Sequence, residues 1–505
     1  MVALTAVSTI GAWWASVADV LREPMTVLLG VIGPPMLLYF FAINTSYLVL
    51  VLLAASEFLA HLRRSAFSGR AEAVSSRLAP GVSLIVPAHN ESAGIVMAVQ
   101  SLLSLRHPRH EVVVVDDGST DDTFEQLRAR FDLVEVAREV PRDIPVPVEV
   151  SSVHVPDDGV TRLAVIRKPN SGKTDAVNTG INAAVEPLIA VVDADSILEP
   201  DALIAVAEPF AEDPVRTIAT GGVIRAANGC TVVDGRVVEV GMPRQWVGRI
   251  QVVEYLRAFL LGRSGWSSID ALVLISGAFG MFRRDILVEI GGLDRDCIGE
   301  DFELVVRMHR HMRDAGRPYR IRFVAEPIAW TEVPTSLRVL RSQRRRWHRG
   351  LYEVLVLHAG MLFRPRYGRI GFLALPWLWL FELVVPVLEI VGITIVLLSL
   401  AVGVTNLEFA LFFLLVTYGY ALLVNLASMT IEELSFHKYP RWKDLGVAIV
   451  ASVLENFGYR QLNVWWRCEG LVQGLRRGTH EWGTMTRAGF GGTAPRGTGA
   501  GVGHA

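Results

Sequence analysis

The chain alternates long stretches without charge and a central stretch with a short, regular rhythm. No charged residue falls between Pro24 and Ser56. Proline removes a backbone donor and clashes with the preceding turn, so Pro34-Pro35 is expected to break this run. The pattern then predicts one span over Met36–Ser56, about the ~20 residues a bilayer needs. A separate surface helix is expected over 3–20, with Trp13 and Trp14 at its interface. His61, Arg63, Arg64, Arg70 and Arg77 follow the span, whereas Arg22 on the other side is balanced by Asp19 and Glu23. That bias puts the following segment in the cytoplasm. No basic segment precedes Ala3, which argues against a cleaved signal peptide.

From Gly81 the texture changes. Val82–Val86, Glu111–Val115 and Leu188–Val192 are short β-branched runs that end in polar, Gly or Pro residues and alternate with helical patterns. Strand, turn, helix, strand is the rhythm of a parallel α/β sheet, whose ligands gather at the carboxyl ends of its strands. After Arg369 a second apolar stretch runs from Gly371 to Val404, too long for one span of ~20 residues. Pro376 and Pro386 divide it, which predicts an interfacial helix to Phe381 and a span over Leu383–Leu400. A further span is expected over Phe409–Ser428, with His437, Lys438, Arg441 and Lys443 returning the chain to the cytoplasm. Residues 444–475 mix apolar residues with Glu455, Arg460 and Arg467, a pattern suited to an interfacial or re-entrant helix pair. The Gly-rich tail from Gly489 reads as disordered. The expected division is 1–62, 63–350, 351–480 and 481–505: an N-terminal surface and transmembrane helix, a cytoplasmic α/β domain, interfacial and transmembrane helices, and a tail.

Composition narrows the class. Of 505 residues, 51% are hydrophobic and 20% charged, with a formal net charge of -2. That balance provides no global basic field for nucleic acid. The three cysteines, Cys230, Cys297 and Cys468, are scattered and odd in number, which speaks against a disulfide framework.

Carboxylates recur at the ends of the predicted strands. Asp193-Ala-Asp195 follows Leu188–Val192 directly; two carboxylates one residue apart can bind Mg²⁺ or Mn²⁺ and leave positions for diphosphate oxygens. Asp116-Asp117 follows four valines and precedes Gly118-Ser119, where a helix cap is the plain alternative. Arg167–Thr174 resembles a phosphate loop, but Arg167 stands where that motif needs glycine; Lys173 can still reach a diphosphate as a point charge. Glu300-Asp301 opens a helix after Gly299. One carboxylate there can take a proton from an attacking hydroxyl; Asp301 is the expected base and Glu300 the neighbour that orients it or raises its pKa. In Gln343-Arg-Arg-Arg346-Trp347, Arg346 can hold phosphate oxygens and Trp347 offers an apolar face to a sugar ring; contact with anionic headgroups is the competing use. His309 and His311, two apart on one helix, read as solvated surface. Glu382 and Glu389, in apolar sequence, are expected to face headgroups, protein or a wet cavity.

Taken in order, Val86–Glu91, Val115–Ser119, Lys168–Lys173, Asp193–Asp195, Ser276–Gly280, Gly299–Asp301 and Gln343–Trp347 resemble the membrane-bound family 2 glycosyltransferases, the group of cellulose, hyaluronan and poly-N-acetylglucosamine synthases. The resemblance implies a GT-A fold, Rossmann-like and mostly parallel, inserted between transmembrane helices. It implies a UDP-sugar donor, inversion at the anomeric carbon, and a growing polysaccharide or a glycolipid as acceptor. Pro87, Ala88, Glu91, Asp116, Asp117 and Lys173 would border the nucleotide. Asp193 and Asp195 would hold the metal, Asp301 and Glu300 would carry the acid–base chemistry, and Gln343, Arg346 and Trp347 would line acceptor and diphosphate. Gly299, where cellulose synthases carry threonine, leans away from cellulose. A multi-pass place in the cell's inner membrane, with a homo-oligomer or an export partner completing the route out, goes with this reading.

Overall fold

The computed structural model describes residues 2–65, 79–405, 407–419, 422–427, 430 and 442–476. Arg70, Arg77, His437, Lys438, Arg441, the tail from Gly489, parts of the expected span Phe409–Ser428 and the side chains of His61, Arg63, Arg64 and Trp14 lie outside what it describes.

Among the described residues the strands are β1 (Val82–Ala88), β2 (His110–Asp117), β3 (Leu133–Val136), β4 (Ser152–Pro156), β5 (Leu163–Lys168), β6 (Leu188–Val192), β7 (Ser196–Leu198), β8 (Thr217–Ala226), β9 (Thr231–Val233), β10 (Arg236–Glu239), β11 (Phe279–Arg283) and β12 (Arg320–Thr331). Ten of them form one mixed sheet in the order β3-β4-β5-β2-β1-β6-β11-β8-β12-β7, and β9 and β10 pair as a separate hairpin. The run β5-β2-β1-β6 is parallel throughout. β6 is buried at every position, as a strand covered on both faces must be, which is why it reads as an unbroken apolar run. The register aligns Ala88 with Asp116 and Asp117 with Lys168. The carboxyl ends of adjacent strands therefore deliver Lys168, Asp117, Ala88 and Asp193 to one edge of the sheet.

Helix Lys173–Ala183 packs tightly on this parallel core. A methyl group added at Gly180 would lie 2.3 Å from Ile85 Cγ2, so only glycine permits the approach. The same helix carries Asn178, whose amide donates to the Leu293 carbonyl at 3.0 Å and accepts from the Leu293 N–H at 2.8 Å. This bond pins the loop that leads into Glu300-Asp301.

The N-terminal helix differs from expectation. It runs unbroken from Val2 to Ser65 with Pro24, Pro34 and Pro35 inside it, so the expected break at Pro34-Pro35 and the separate helix over 3–20 are not found. In apolar surroundings a chain has no better way to satisfy its backbone than to stay helical, and neighbouring packing absorbs the proline defects. Among the described residues two helices are long and apolar enough to cross a membrane by length and composition, Ala15–Ser56 and Ile370–Ala401. In the second, the expected division near Phe381 has a counterpart: one helical piece ends at Leu383 and a regular helix runs from Val385 to Ala401. Pro376 and Pro386 sit in the first turns of helical pieces, and π turns at Ile370–Ala374 and Leu378–Leu383 take up the distortion. The two helices meet through Trp377, which donates to Ser46 Oγ at 2.9 Å and packs edge-on against Tyr47. Farther on, helices Trp442–Leu454 and Arg460–Leu475 join at a kink where Phe457 and Gly458 leave helical geometry.

Gly180→Ala should lower stability by about 1–3 kcal/mol through overpacking, read as a lower thermal midpoint of the purified chain. Adding Ile85→Ala should recover part of that loss; a strictly additive further loss would show that the two positions do not touch.

Candidate active site

The loop after β5 is built around one buried carboxylate. Asp117, 3% exposed, accepts from the Ser171 N–H at 3.0 Å and the Gly172 N–H at 2.9 Å, and pairs with the fully buried Lys168 ammonium. Lys168 also donates to the Pro169 carbonyl at 3.1 Å and to Ser171 Oγ at 2.6 Å. Asp117 thus folds residues 168–172 into a turn that opens helix Lys173–Ala183. Asp116 accepts from the Ser119 N–H at 3.0 Å, and Arg167, 3.4 Å away, lies over the Phe124 ring. Pro87 and Ala88 end β1 beside this turn. The Glu91 N–H donates to Thr123 Oγ1 at 2.9 Å, which ties the segment after β1 to the helix after β2.

Lys173, first residue of its helix, reaches across to the other motifs. Its ammonium lies 2.5 Å from Asp193 Oδ1 and also feels the charges of Glu300 and Asp301. Burial alone would lower its pKa, yet Asp193, Glu300 and Asp301 together hold it above the usual lysine value. Glu300 is raised from 4.5 to about 7, first by burial and then by the like charge of Asp301, against the pull of Lys173 and Arg346. The raised group here is Glu300, set partly by Asp301. Asp301 itself accepts from the Gly277 N–H at 2.9 Å and from the Phe302 N–H at 2.8 Å. Two acidic motifs distant in sequence therefore share one ammonium.

Helix Leu337–Leu357 crosses the start of helix Glu300–Asp314 at a glycine pair. A methyl group added at Gly350 would lie 3.0 Å from Gly299 Cα, so the two backbones nearly touch. This crossing brings Arg346 within electrostatic reach of Glu300. Gln343 is buried, and its side-chain oxygen has no hydrogen-bond partner. Trp347 is 45% exposed. The Arg344 guanidinium lies 4.8 Å from its ring centroid and is anchored by Glu254 at 2.6 Å. Glu254 in turn accepts from Tyr459 at 2.8 Å.

Two residues absent from the expected set also face the carboxylates. Tyr255 feels the charge of Asp195, and Arg263 feels Asp301 and Tyr255. Burial pushes the Tyr255 phenol up to about 12 and pulls the Arg263 guanidinium down to about 10, so both keep their protons at neutral pH. The histidine expectation needs correction. His309 is 1% exposed, with Nε2 2.7 Å from the Leu272 carbonyl and Nδ1 2.7 Å from the Tyr319 hydroxyl. Residues two apart on a helix point different ways, and His309 takes the inward one, while His311 stays near the surface on Glu289. Glu382 and Glu389 face protein, paired with Arg467 at 3.0 Å and Arg460 at 2.8 Å.

No group of three His, Cys, Asp or Glu side chains among the described residues has the arrangement of a metal cage. Asp193 and Asp195 are two carboxylates one residue apart, the number used in the other mode, in which one or two carboxylates share a hard cation with phosphate oxygens and water.

A family profile described as "Glycosyltransferase like family 2" matches residues 80–350. A poly-beta-1,6-N-acetyl-D-glucosamine synthase of Staphylococcus epidermidis is 28% identical over 279 residues, which is 55% of this chain and 56% of that protein. The synthase of the same name from Staphylococcus aureus (strain N315) is 28% identical over 281 residues, with the same 55% and 56% shares. The chain thus spans about half the length of the curated relatives it matches. Among solved structures, a mannosyltransferase from Pyrobaculum calidifontis in complex with GDP-Man and Mn²⁺ aligns with a TM-score of 0.44 and 17% identity, over 86% of this chain and 99% of that one. Staphylococcus aureus TarS, residues 1–349, aligns with a TM-score of 0.38 and 16% identity, over 75% and 91%.

In the absence of nucleotide and divalent cation, the folded chain holds a proton on Glu300 up to about pH 7, whereas the unfolded chain releases it near 4.5. The folded state then binds more protons in that window, so stability falls as pH rises from about 4.5 to about 7. Glu300→Gln should flatten this part of a thermal-stability profile recorded in EDTA; an unchanged slope would place Glu300 in an ordinary environment.

Proposed function

The chain belongs to the family 2 glycosyltransferases, and from that premise we propose that it is a processive, inverting transferase. It takes a sugar of the glucose or N-acetylglucosamine type from a UDP donor and adds it to a growing polysaccharide at the membrane. The observation that carries this reading is the convergence of Asp193, Glu300 and Asp301 on Lys173, with Arg346 close to Glu300.

The uridine lies along the ends of β1 and β2, bordered by Pro87, Ala88, Glu91 and the Asp116-Asp117 turn. Lys173 and Arg346 face the diphosphate. Asp193 and Asp195 would hold Mg²⁺ or Mn²⁺, which when bound neutralises charge on the departing nucleoside diphosphate. Asp301, aimed by the two backbone N–H groups of Gly277 and Phe302, accepts the proton of the attacking hydroxyl. The sugar acceptor rests on the exposed part of Trp347 near Gln343. The names of the curated relatives support a polysaccharide as product. Helices Ala15–Ser56 and Ile370–Ala401 support a multi-pass place in the inner membrane, and the basic residues Arg63 and Arg64 that follow the first support a cytoplasmic side for the sheet.

Membranes carrying the chain should consume UDP-glucose or UDP-N-acetylglucosamine and yield products longer than one added unit; strictly single additions to an extractable lipid would defeat the processive part. Asp301→Asn should cut turnover by about 10²–10⁴-fold with UDP affinity retained, whereas Asp195→Ala should weaken UDP binding in Mg²⁺ or Mn²⁺. Equal loss of UDP affinity in both variants would contradict the assigned roles.

A further inference from the structure

Arg263 ends a π-helical segment, Leu256–Arg263, that follows helix Trp246–Tyr255. π turns inside α-helices are often found at functional sites. The guanidinium carbon lies over Phe259, 3.6 Å from the ring centroid, and Phe259 packs at 5.4 Å on Tyr255. Tyr255, Phe259 and Arg263 thus form one stripe with four-residue steps. The charge of Asp195 reaches one end of it and that of Asp301 the other. Arg263 Nη1 is buried and has no hydrogen-bond partner. A charged donor left so in a protein interior is costly, unless a ligand completes it.

The position says which ligand. Lys173 faces Asp193, Glu300 and Asp301, whereas Arg263 faces Asp301 and Tyr255. Asp301 therefore acts on two cations, Lys173 and Arg263. Directly after Arg263 the chain meets the first apolar helix, where a methyl group added at Gly265 would lie 2.7 Å from the Leu50 carbonyl. Trp266 packs at 5.4 Å against Trp377 of the second. Arg263 thus joins the surroundings of the expected base to the seam of the two apolar helices.

We infer that Arg263 is an acceptor-binding residue: its Nη1 donates to an oxygen of the terminal sugar of a saccharide acceptor, beside the hydroxyl that Asp301 deprotonates. This rests on the functional reading above. Phe259 holds the guanidinium by a cation–π contact, 3.6 Å from the ring centroid.

The test uses the full chain in membranes, with UDP-N-acetylglucosamine or UDP-glucose as donor and a short oligosaccharide of the same sugar as acceptor. Arg263→Ala should leave UDP affinity as in the parent. It should raise the acceptor KM by about ten- to a hundredfold, the worth of one charged hydrogen bond, and shift donor consumption from transfer towards hydrolysis. Arg263→Lys should recover part of the acceptor KM, a rescue that a purely structural role would not give. Loss of UDP affinity matching that of Asp195→Ala would move Arg263 to the diphosphate and overturn the inference. An unchanged acceptor KM in Arg263→Ala would also overturn it, with the functional reading intact. A parent chain that consumes neither donor would overturn both.

Discussion

Asp193 and the adjacent pair Glu300-Asp301 come from two distant parts of the chain and gather around one ammonium, where they repel one another. Burial first and the like charge of Asp301 second keep a proton on Glu300 up to about pH 7. Lys173 is what lets them stay together. Its ammonium sits 2.5 Å from Asp193 and within the field of the other two. The position of Lys173 depends in turn on the turn before it, which Asp117 folds by accepting two backbone N–H groups and the Lys168 charge. A chain of charge compensation thus runs from the end of β2 to the start of helix Glu300–Asp314. A nucleoside diphosphate with its cation would enter a place already balanced for opposite charges.

The helices around the sheet extend the same logic into apolar surroundings. Glu389, 2% exposed, takes two bonds from Arg460 at 2.8 and 3.2 Å. Arg467 bonds the Glu382 side chain at 3.0 Å and reaches His348 Nδ1 at 3.3 Å, so helix Arg460–Leu475 is tied both to the second apolar helix and to the helix carrying Trp347. Such buried pairs give little net stability over apolar packing, but losing one partner is costly. Their effect here is to fix the register of Gln343–Trp347 against the apolar helices.

Much of the site could be read from the chain because its carboxylates follow strands. A five-residue apolar run such as Leu188–Val192 announces a buried strand, and Asp193 after it must lie at a sheet edge. The Asp117 turn was visible as a motif, but its inward role was not, since the partners Ser171 and Gly172 are backbone groups fifty residues on. Tyr255 and Arg263 carry no local signature at all. Their relation to Asp195 and Asp301 arises from a π segment and a long-range fold. Pro34-Pro35 misled for a physical reason: propensity weighs the lost hydrogen bond, whereas an apolar environment weighs the whole backbone. His309 was misplaced because a polar residue on an amphipathic helix is solvated on average, and this one is paid for by a carbonyl and a phenol inside.

The most direct measure of the central claim is a double-mutant cycle on Lys173 and Asp193 in the ligand-free protein. Thermal stability would be compared for the parent, Lys173→Met, Asp193→Asn and the double variant. If the ammonium holds the carboxylates together, the double variant loses less than the sum of the single losses, with a coupling of about 0.5–3 kcal/mol. Losses that add to within about 0.3–0.5 kcal/mol would mean that Lys173 and Asp193 act independently, and the shared cleft would lose its basis.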